Sequence, residues 1–459
     1  MAEAFEVVRE GFVEKITGEI RQETPMSRIA FASFIGTTIE FYDFYIYGLA
    51  AALVFPALFF PDLSPASGLL ASFATYGVAF LARPLGGAAF GHYGDRFGRK
   101  AMLVLSLLLM GVSTFLVGLL PGYATLGVLA PILLVALRFF QGVGLGGEWG
   151  GAVLMATEHA PANRRAFYSG FPQIAPVPGY LLSAGLFLVL AAYLSPEQFA
   201  AWGWRVPFLL SIVLVGVGLF VRLKLAETPV FRRVVETQTE ARVPVVDVVR
   251  TYPRTLILAA LTTTIIFAFF YVVTVFSISY GVTQLGLPQT TMLYCVMVGV
   301  VGMGIGVPLF ATLSDRVGRR NLALFSTGAL GLWAFPTFWL VDTRNPVWIS
   351  LAFAVGLFFL AAFYGPLGAF FSELFGTRVR YSGSSLSFAL GSVLGGALAP
   401  IIAVRLLAAT GASWSISLYL FVVALVSFVS ILLLSETYRT DLAGVRPEER
   451  RFIDKETLP

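Results

Sequence analysis

With 459 residues, 57% of them hydrophobic and only 12% charged, and a mean hydropathy of +0.83, this chain has too little polar surface to cover a soluble particle and reads as an integral membrane protein. The net charge of +5 does not point to nucleic acid, because the basic residues fall between apolar spans and form no aromatic-interleaved groove. Cys295 is the only cysteine, which excludes an internal disulfide and a cysteine metal cluster.

Residues 1–28 are a polar tail of mixed charge, without the short apolar core and cleavage site of a signal peptide. Twelve apolar stretches follow, at roughly 29–55, 67–92, 101–120, 126–155, 167–194, 204–224, 255–282, 290–313, 321–341, 346–372, 382–409 and 414–435. As helices each crosses about 30 Å of hydrocarbon at about 1.5 Å per residue. The runs are too long for barrel strands and lack alternation of period two. The longest and most charged internal linker, 226–253, divides them six and six. The expected fold is therefore all-α, with one six-helix bundle over 29–225, a second over 254–435, and a short tail over 436–459.

An internal echo supports two halves of one plan. Gly91 to Lys100 reads GHYGDRFGRK, and its core returns as SDRVGRR at Ser314 to Arg320, Asp95 matching Asp315 and Arg99 matching Arg319 at a spacing of 220 residues. Placing the first tail in the cytoplasm puts 26 of the 31 Lys and Arg residues on that side. Arg205, Arg344 and Arg405 fall opposite, while Arg83 and Arg138 lie inside spans. No Asn-x-Ser/Thr sequon is present, and a bacterial plasma membrane is the expected home.

Two signals are decoys. Gly142 to Gly147 (GVGLGG) fits a dinucleotide fingerprint but follows no strand, so close helix packing by Gly142, Gly146 and Gly150, and elsewhere by Gly302 and Gly306, is the better reading. His92 and His159 are too few for a metal site and belong near the surface.

Deep charges are more informative, since an ionised side chain at the bilayer centre costs about 2.5–3.5 kcal/mol on insertion scales. Five occur, all in the first half: Glu40, Asp43, Arg83, Arg138 and Glu148. Glu40 and Asp43 share a helix face with Gly36 and Tyr47, and Arg138, Gln141, Leu145 and Glu148 share another if the span is one helix. Three carboxylates against two guanidiniums leave one carboxylate without a basic partner. A carboxyl buried that way favours its neutral form, which makes Glu40, Asp43 and Glu148 proton-carrier candidates, with structural ion pairing as the alternative. The second half offers hydroxyls and rings instead, among them Tyr271, Thr274, Tyr364, Ser384, Ser385 and Phe388. Helix breaks are expected at Pro172, Pro176, Pro178 and Gly179, at Gly365 and Pro366, and at Gly391, Gly395 and Gly396.

GHYGDRFGRK with its echo resembles the loop signature of the major facilitator superfamily. TTIEFYDFYIYG (37–48), RFFQGVGLGGEWGGA (138–152), WGWRVPFLLS (202–211) and SELFGTRVRYSGSSLSFALGSVLGG (372–396) resemble its metabolite:H⁺ symporter branch. The resemblance implies proton-driven uptake of a small organic acid or zwitterion by alternating access between two bundles, in a monomer that needs no cofactor. Two departures stand out. The short C-terminal tail lacks the heptads of osmosensing members, and QIAPVPGYLL in the fifth span is richer in proline than the branch.

On this reading Arg138 and Arg83 attract a substrate carboxylate, with Arg83 also a gate candidate. Gln141, Tyr47, Tyr271, Tyr364 and Ser384 set the shape of the site, and Glu40, Asp43 and Glu148 share the proton. The charged turns form a cytoplasmic latch. Gly91, Asp95, Arg96, Gly98, Arg99 and Lys100, and their echo Asp315, Arg316, Gly318, Arg319 and Arg320, would meet Glu158, Glu227, Glu373 and Glu436, with Arg165 and Arg380 seven residues after two of those glutamates. As exposed pairs each would contribute only about 0–1 kcal/mol, a scale suited to a switch. A proton-coupled exporter of the same fold is the runner-up. A membrane enzyme is disfavoured, as the spans carry no nucleophile and base pair.

Overall fold

The computed structural model describes residues 26–438 apart from 98, 147, 159, 224–243 and 377–378; the side chains of 26–33, 88, 91–103, 148, 152, 155, 158, 162, 221–223 and 244–247 likewise lie outside the described residues. Every regular element among the described residues is helical. In chain order the spans are α1 (Met26–Leu53), α2 (Pro65–Phe97), α3 (Arg99–Leu119) and α4 (Leu129–Leu145, resumed as Glu148–Glu158). Next come α5 (Arg165–Tyr193), α6 (Arg205–Leu223), α7 (Pro253–Thr283) and α8 (Gln289–Val317). Last are α9 (Arg319–Asp342), α10 (Pro346–Leu374), α11 (Arg380–Thr410) and α12 (Trp414–Leu432).

Nine helices among the described residues are long and apolar enough to cross a membrane, and the pair Pro196–Gly203 and Arg205–Phe220, bent by 42°, makes a tenth. The 28-residue α1, and α3 with its apolar part Val104–Leu119, complete the twelve expected paths. Helix is the required answer for such runs, because in lipid each backbone N–H and C=O must be satisfied within its own segment. Proline opens α2, α7 and α10, where its missing N–H costs nothing. The Asn345 side chain accepts from the Val347 N–H at 2.9 Å, and Gly411, at φ 67°, ends α11 in the left-handed conformation.

Packing repeats between the halves. α1 lies on α5, α2 on α4 and α3 on α6, and six spans later α7 lies on α11, α8 on α10 and α9 on α12. The halves meet where α2 runs along α11 and α5 along α8. Polarity is inverted relative to a soluble protein. Val213, Phe220, Leu332, Trp339 and Leu425 face outward, while Thr262, Thr263, Ser384 and Ser387 are fully buried. The helix connections after Phe97, Val317 and Leu374 fall at one end of the bundle, called here the basic end because it carries SDRVGRR.

One expectation is corrected. GHYGDRF is the last two turns of α2 and SDRV the last turn of α8, so both charged turns are mostly helix. The helices outrun the apolar stretch because charged residues past the hydrocarbon still satisfy their backbone internally. At the second connection Gly318, at φ 97°, is the whole turn, and a Cβ there would strike the Glu436 carboxylate. In α4 helix is assigned over Leu129–Leu145 and again from Glu148, and Gly147 between them lies outside the described residues. The linker contains a helix, Pro244–Thr251, whereas 226–243 lies outside the described residues. Of the breaks expected in α5, one falls at Ala175 before Pro176, whereas Pro172, Pro178 and Gly179 lie within helix; the break at 365–366 in α10 is present, and α11 takes a π-turn over Val393–Ala397. A π-turn in α7, Val272–Phe276, has no glycine or proline to announce it.

Candidate functional site

Deep in the first half, α1, α2 and α4 hold two arginines among rings. Arg138 is fully buried, its guanidinium carbon 4.4 Å from the Phe44 ring centroid, 4.1 Å from Tyr47 and 4.7 Å from Tyr76. Arg83 lies 4.7 Å from each of Phe44 and Phe80, so Phe44 carries both cations. One Arg138 hydrogen bond is made: Nη1 donates to Gln141 Oε1 at 3.0 Å. Gln141 Nε2 then donates to Thr114 Oγ1 at 2.8 Å, and that hydroxyl donates to the Met110 carbonyl at 2.9 Å. Nε and Nη2 of Arg138 and Nε of Arg83 are buried without a hydrogen-bond partner, and neither arginine has an ion pair among the described residues.

Glycine makes this approach possible. A Cβ at Gly146 would run into the Arg83 carbonyl, one at Gly142 into the Ala79 backbone, and one at Gly86 into the Val143 carbonyl. That is the packing reading of GVGLGG. On α1, Glu40 and Asp43 are both buried, at 3% and 1% exposure. Neither Asp43 oxygen has a hydrogen bond by strict geometry, although the Thr114 hydroxyl lies beside it.

A cavity of about 30 Å³ sits between the halves, walled by Phe41, Tyr45 and Arg83 from the first and by Tyr271, Tyr364 and Phe388 from the second, among others. That is room for about one water. Contacts between the halves flank it. Toward the basic end Trp149 stacks on Phe388, with centroids 3.7 Å apart at 8°. Its Nε1 donates to Gln173 Oε1 at 2.8 Å, and Gln173 Nε2 donates to the Tyr364 carbonyl at 3.0 Å. Toward the far end the Tyr180 hydroxyl donates to the Thr274 carbonyl at 2.9 Å.

At the basic end Arg319 binds Glu373 through two hydrogen bonds, Nε to Oε2 at 3.3 Å and Nη2 to Oε1 at 3.2 Å, and pairs with Asp315 at 2.9 Å. Asp315 crosses between the halves: its two oxygens accept from Ala166 N and Phe167 N, each at 3.1 Å, at the N-terminus of α5. Arg165 reaches Glu373 at 4.0 Å from the same helix. Glu436 instead ties the second half to itself, accepting from Arg319 N and Arg320 N at 2.9 and 3.1 Å, while Arg320 donates to the last carbonyls of α12. The expectation of exposed pairs is thus corrected: Arg319 and Glu373 are 1% and 0% exposed, because α5 sits over them.

The description Major Facilitator Superfamily matches residues 33–400. The chain is 44% identical over 430 residues to the inner membrane metabolite transport protein YhjE of Escherichia coli, covering 92% of this chain and 98% of that one. It is 41% identical to the shikimate transporter of the same organism (90% and 95% covered), and 32% identical to its proline/betaine transporter (91% and 85% covered). The chain belongs to the Major Facilitator Superfamily. A partially occluded, inward-open structure of the E. coli xylose transporter XylE superposes with a TM-score of 0.71 at 16% identity, covering 90% of this chain and 99% of that one, which speaks for the fold. Fold and relatives make this a multi-pass membrane transporter of small molecules, not an enzyme.

Within this superfamily fold the site candidates separate into groups. Arg83, Tyr271 and Tyr364 line the cavity. Arg138, Gln141 and Tyr47 stand behind Phe44, Tyr47 donating to Thr75 Oγ1 at 2.8 Å. Ser384 is buried on α11 with its hydroxyl unpaired, away from the cavity wall. Of the gate candidates, Arg380 is buried at the start of α11 and Arg316 is exposed. The side chains of Glu148, Asp95, Arg96, Arg99, Lys100 and Glu158, and residues Gly98 and Glu227 entirely, lie outside the described residues; Gly91 is within α2. Sequence reasoning missed Phe44, Tyr45, Trp149 and Gln173. The aromatic crowding of EFYDFYIYG was a usable signal for the first two, but a stack across 239 residues of sequence was not.

Proposed function

We propose that the protein imports a small organic acid or zwitterion together with a proton, as a monomer in the bacterial plasma membrane with both tails in the cytoplasm. The observation that carries this reading is Arg83: a guanidinium 7% exposed, without an ion pair among the described residues, in the wall of a cavity shared by both halves. A buried cation in such a place favours an anionic ligand. The printed roles of the relatives, metabolite, shikimate and proline/betaine transport, agree in class. The inner-membrane relative and the 26 of 31 basic residues on one side support the location and orientation.

The residues suggest how the steps connect. With the far end open, substrate enters against Arg83, Tyr271 and Tyr364 while a carboxyl of α1 takes the proton. Asp43 is the favoured carrier: buried without an ion pair among the described residues, it stands beside Thr114, which joins Gln141 and Arg138 by two hydrogen bonds. Protonation of Asp43 is thereby felt at Arg138, and through Phe44 at Arg83. Glu40 and Glu148 are the alternative carriers. Release then requires the Trp149–Phe388 stack and the Asp315 contact to part. The test is uptake into proteoliposomes with and without an inward proton gradient. Accumulation abolished by an uncoupler supports symport; secretion driven by the gradient would make the protein an exporter.

A further inference from the structure

We infer that Gln173 is a positioning residue for transport: its amide ties the cavity wall to the closure at the basic end, so that the two move together. The inference rests on the transport reading and assigns one more residue to it.

Gln173 belongs to the first half, is fully buried, and lies in the last turn of the first segment of α5, Arg165–Ile174, just before the break at Ala175. The two polar atoms of its amide serve different partners. Oε1 accepts from the Trp149 indole N–H at 2.8 Å, and Nε2 donates to the Tyr364 carbonyl at 3.0 Å across the halves. An indole only donates and a carbonyl only accepts, so a single orientation of the amide serves both. A carboxylate or a hydrocarbon of similar length serves at most one. Tyr364 is the last residue of the first segment of α10, where a helix end leaves carbonyls without an intrahelical donor. The amide thus bridges the break of α5 and the break of α10.

The partners at each end of this bridge give it a role. Tyr364 lines the cavity. Trp149 stacks on Phe388, a second wall residue, which meets Phe267 of the same wall edge-on at 5.0 Å. The segment Arg165–Ile174 is also held at its other end, where Ala166 N and Phe167 N donate to Asp315. One helix of 10 residues is therefore fastened to the second half twice, once beside the cavity and once at the basic end. A ligand that displaces Tyr364 pulls on Gln173, and through it on the Trp149 stack and on the segment that carries the Asp315 contact. Once the halves part, water replaces each of these hydrogen bonds, so the bridge favours the closed form by only a modest factor.

The experiment is pulsed electron paramagnetic resonance on the full-length protein in a Cys295→Ala background. Spin labels are placed on cysteines replacing the exposed Asn163 and Val317 at the basic end, or the exposed Glu197 and Gln284 at the far end. Gln173→Leu should shift the basic-end pair toward its longer distance by about fivefold in population, without lengthening the far-end pair. Trp149→Phe, which keeps a ring on Phe388 and loses the N–H, should act in the same direction. The double variant should open no further than the larger single one, because both substitutions break one bridge. If Gln173→Leu does not fold, Gln173→Asn, too short to reach both partners, carries the test with Trp149→Phe. Unchanged basic-end distances overturn the inference, as do effects of the two variants that add, or a far-end pair that lengthens as well, which would mark a residue that only stabilises the fold. Proteoliposome uptake tests the transport reading separately. Labels that respond as expected while no compound accumulates under a proton gradient would spare the bridge and remove that reading; accumulation with unresponsive labels would do the reverse.

Discussion

Phe44 holds two like charges on one ring, Arg83 at 4.7 Å and Arg138 at 4.4 Å from its centroid. In a desolvated setting each such contact is worth about 2 kcal/mol, and the ring partly offsets the cost of burying guanidiniums that have no ion pair among the described residues. Phe44→Leu keeps the apolar volume and loses the quadrupole. We expect it to destabilise the protein by about 2 kcal/mol or more, read as a lower thermal midpoint in detergent, with Phe44→Trp close to wild type. Asp43 is argued at the same scale. Its replacement by Asn removes the titrating group but keeps the shape, so accumulation driven by a proton gradient should vanish while substrate exchange at equal concentrations persists. Uptake by the wild type should rise as the outside is acidified, because in the proposed symport the proton travels inward with substrate; Asp43→Asn should be flat. Retained accumulation in Asp43→Asn would move the proton to Glu40 or Glu148.

Among the elements, α2 and α4 are pressed together until backbone meets backbone at Gly86, Gly142 and Gly146. This contact sets the rotation that aims Arg83 at the cavity and Arg138 behind it. Even a methyl at Gly146 meets the Arg83 carbonyl, so Gly146→Ala should cost about 1–3 kcal/mol by overpacking and lower transport together with the thermal midpoint. α5, α10 and α11 are each interrupted, and Trp149 and Phe388 join the halves. Cysteines at 149 and 388, in a Cys295→Ala background, bridged by a short reducible bis-thiosulfonate, should stop transport and release it on reduction. Unchanged transport after complete cross-linking would mean that the stack does not part during the cycle.

For the whole molecule, contacts cross the halves at the basic end, and on the proposed cycle the balance between closed and open forms turns on them. Asp315 at the N-terminus of α5 is such a contact, and an anion there is worth about 1 kcal/mol. Asp315→Asn should therefore shift the population toward the form open at the basic end by roughly fivefold, measurable as a longer spin-label distance between the start of α5 and the end of α8. Glu436 makes contacts of the same kind within one half, so Glu436→Gln should lower stability without that shift. This pair of variants separates a gate from a strut.

Much of the architecture was legible without coordinates, for a simple reason: lipid gives the backbone one solution per apolar run, so twelve runs read as twelve helices, and an echo at 220 residues reads as two bundles. The deep charges stood out for the same reason, since Glu40, Asp43, Arg83 and Arg138 had to be buried together or not at all. What composition and spacing do not carry is rotation about a helix axis and the partner across the interface. Only the packing of Gly142 and Gly146 on α2 decided that Arg83 faces the cavity while Arg138 stands behind Phe44. Only the meeting of the halves paired Trp149 with Phe388 and buried Arg319 against Glu373. Those choices depend on contacts between residues far apart in the chain, which local sequence patterns do not encode.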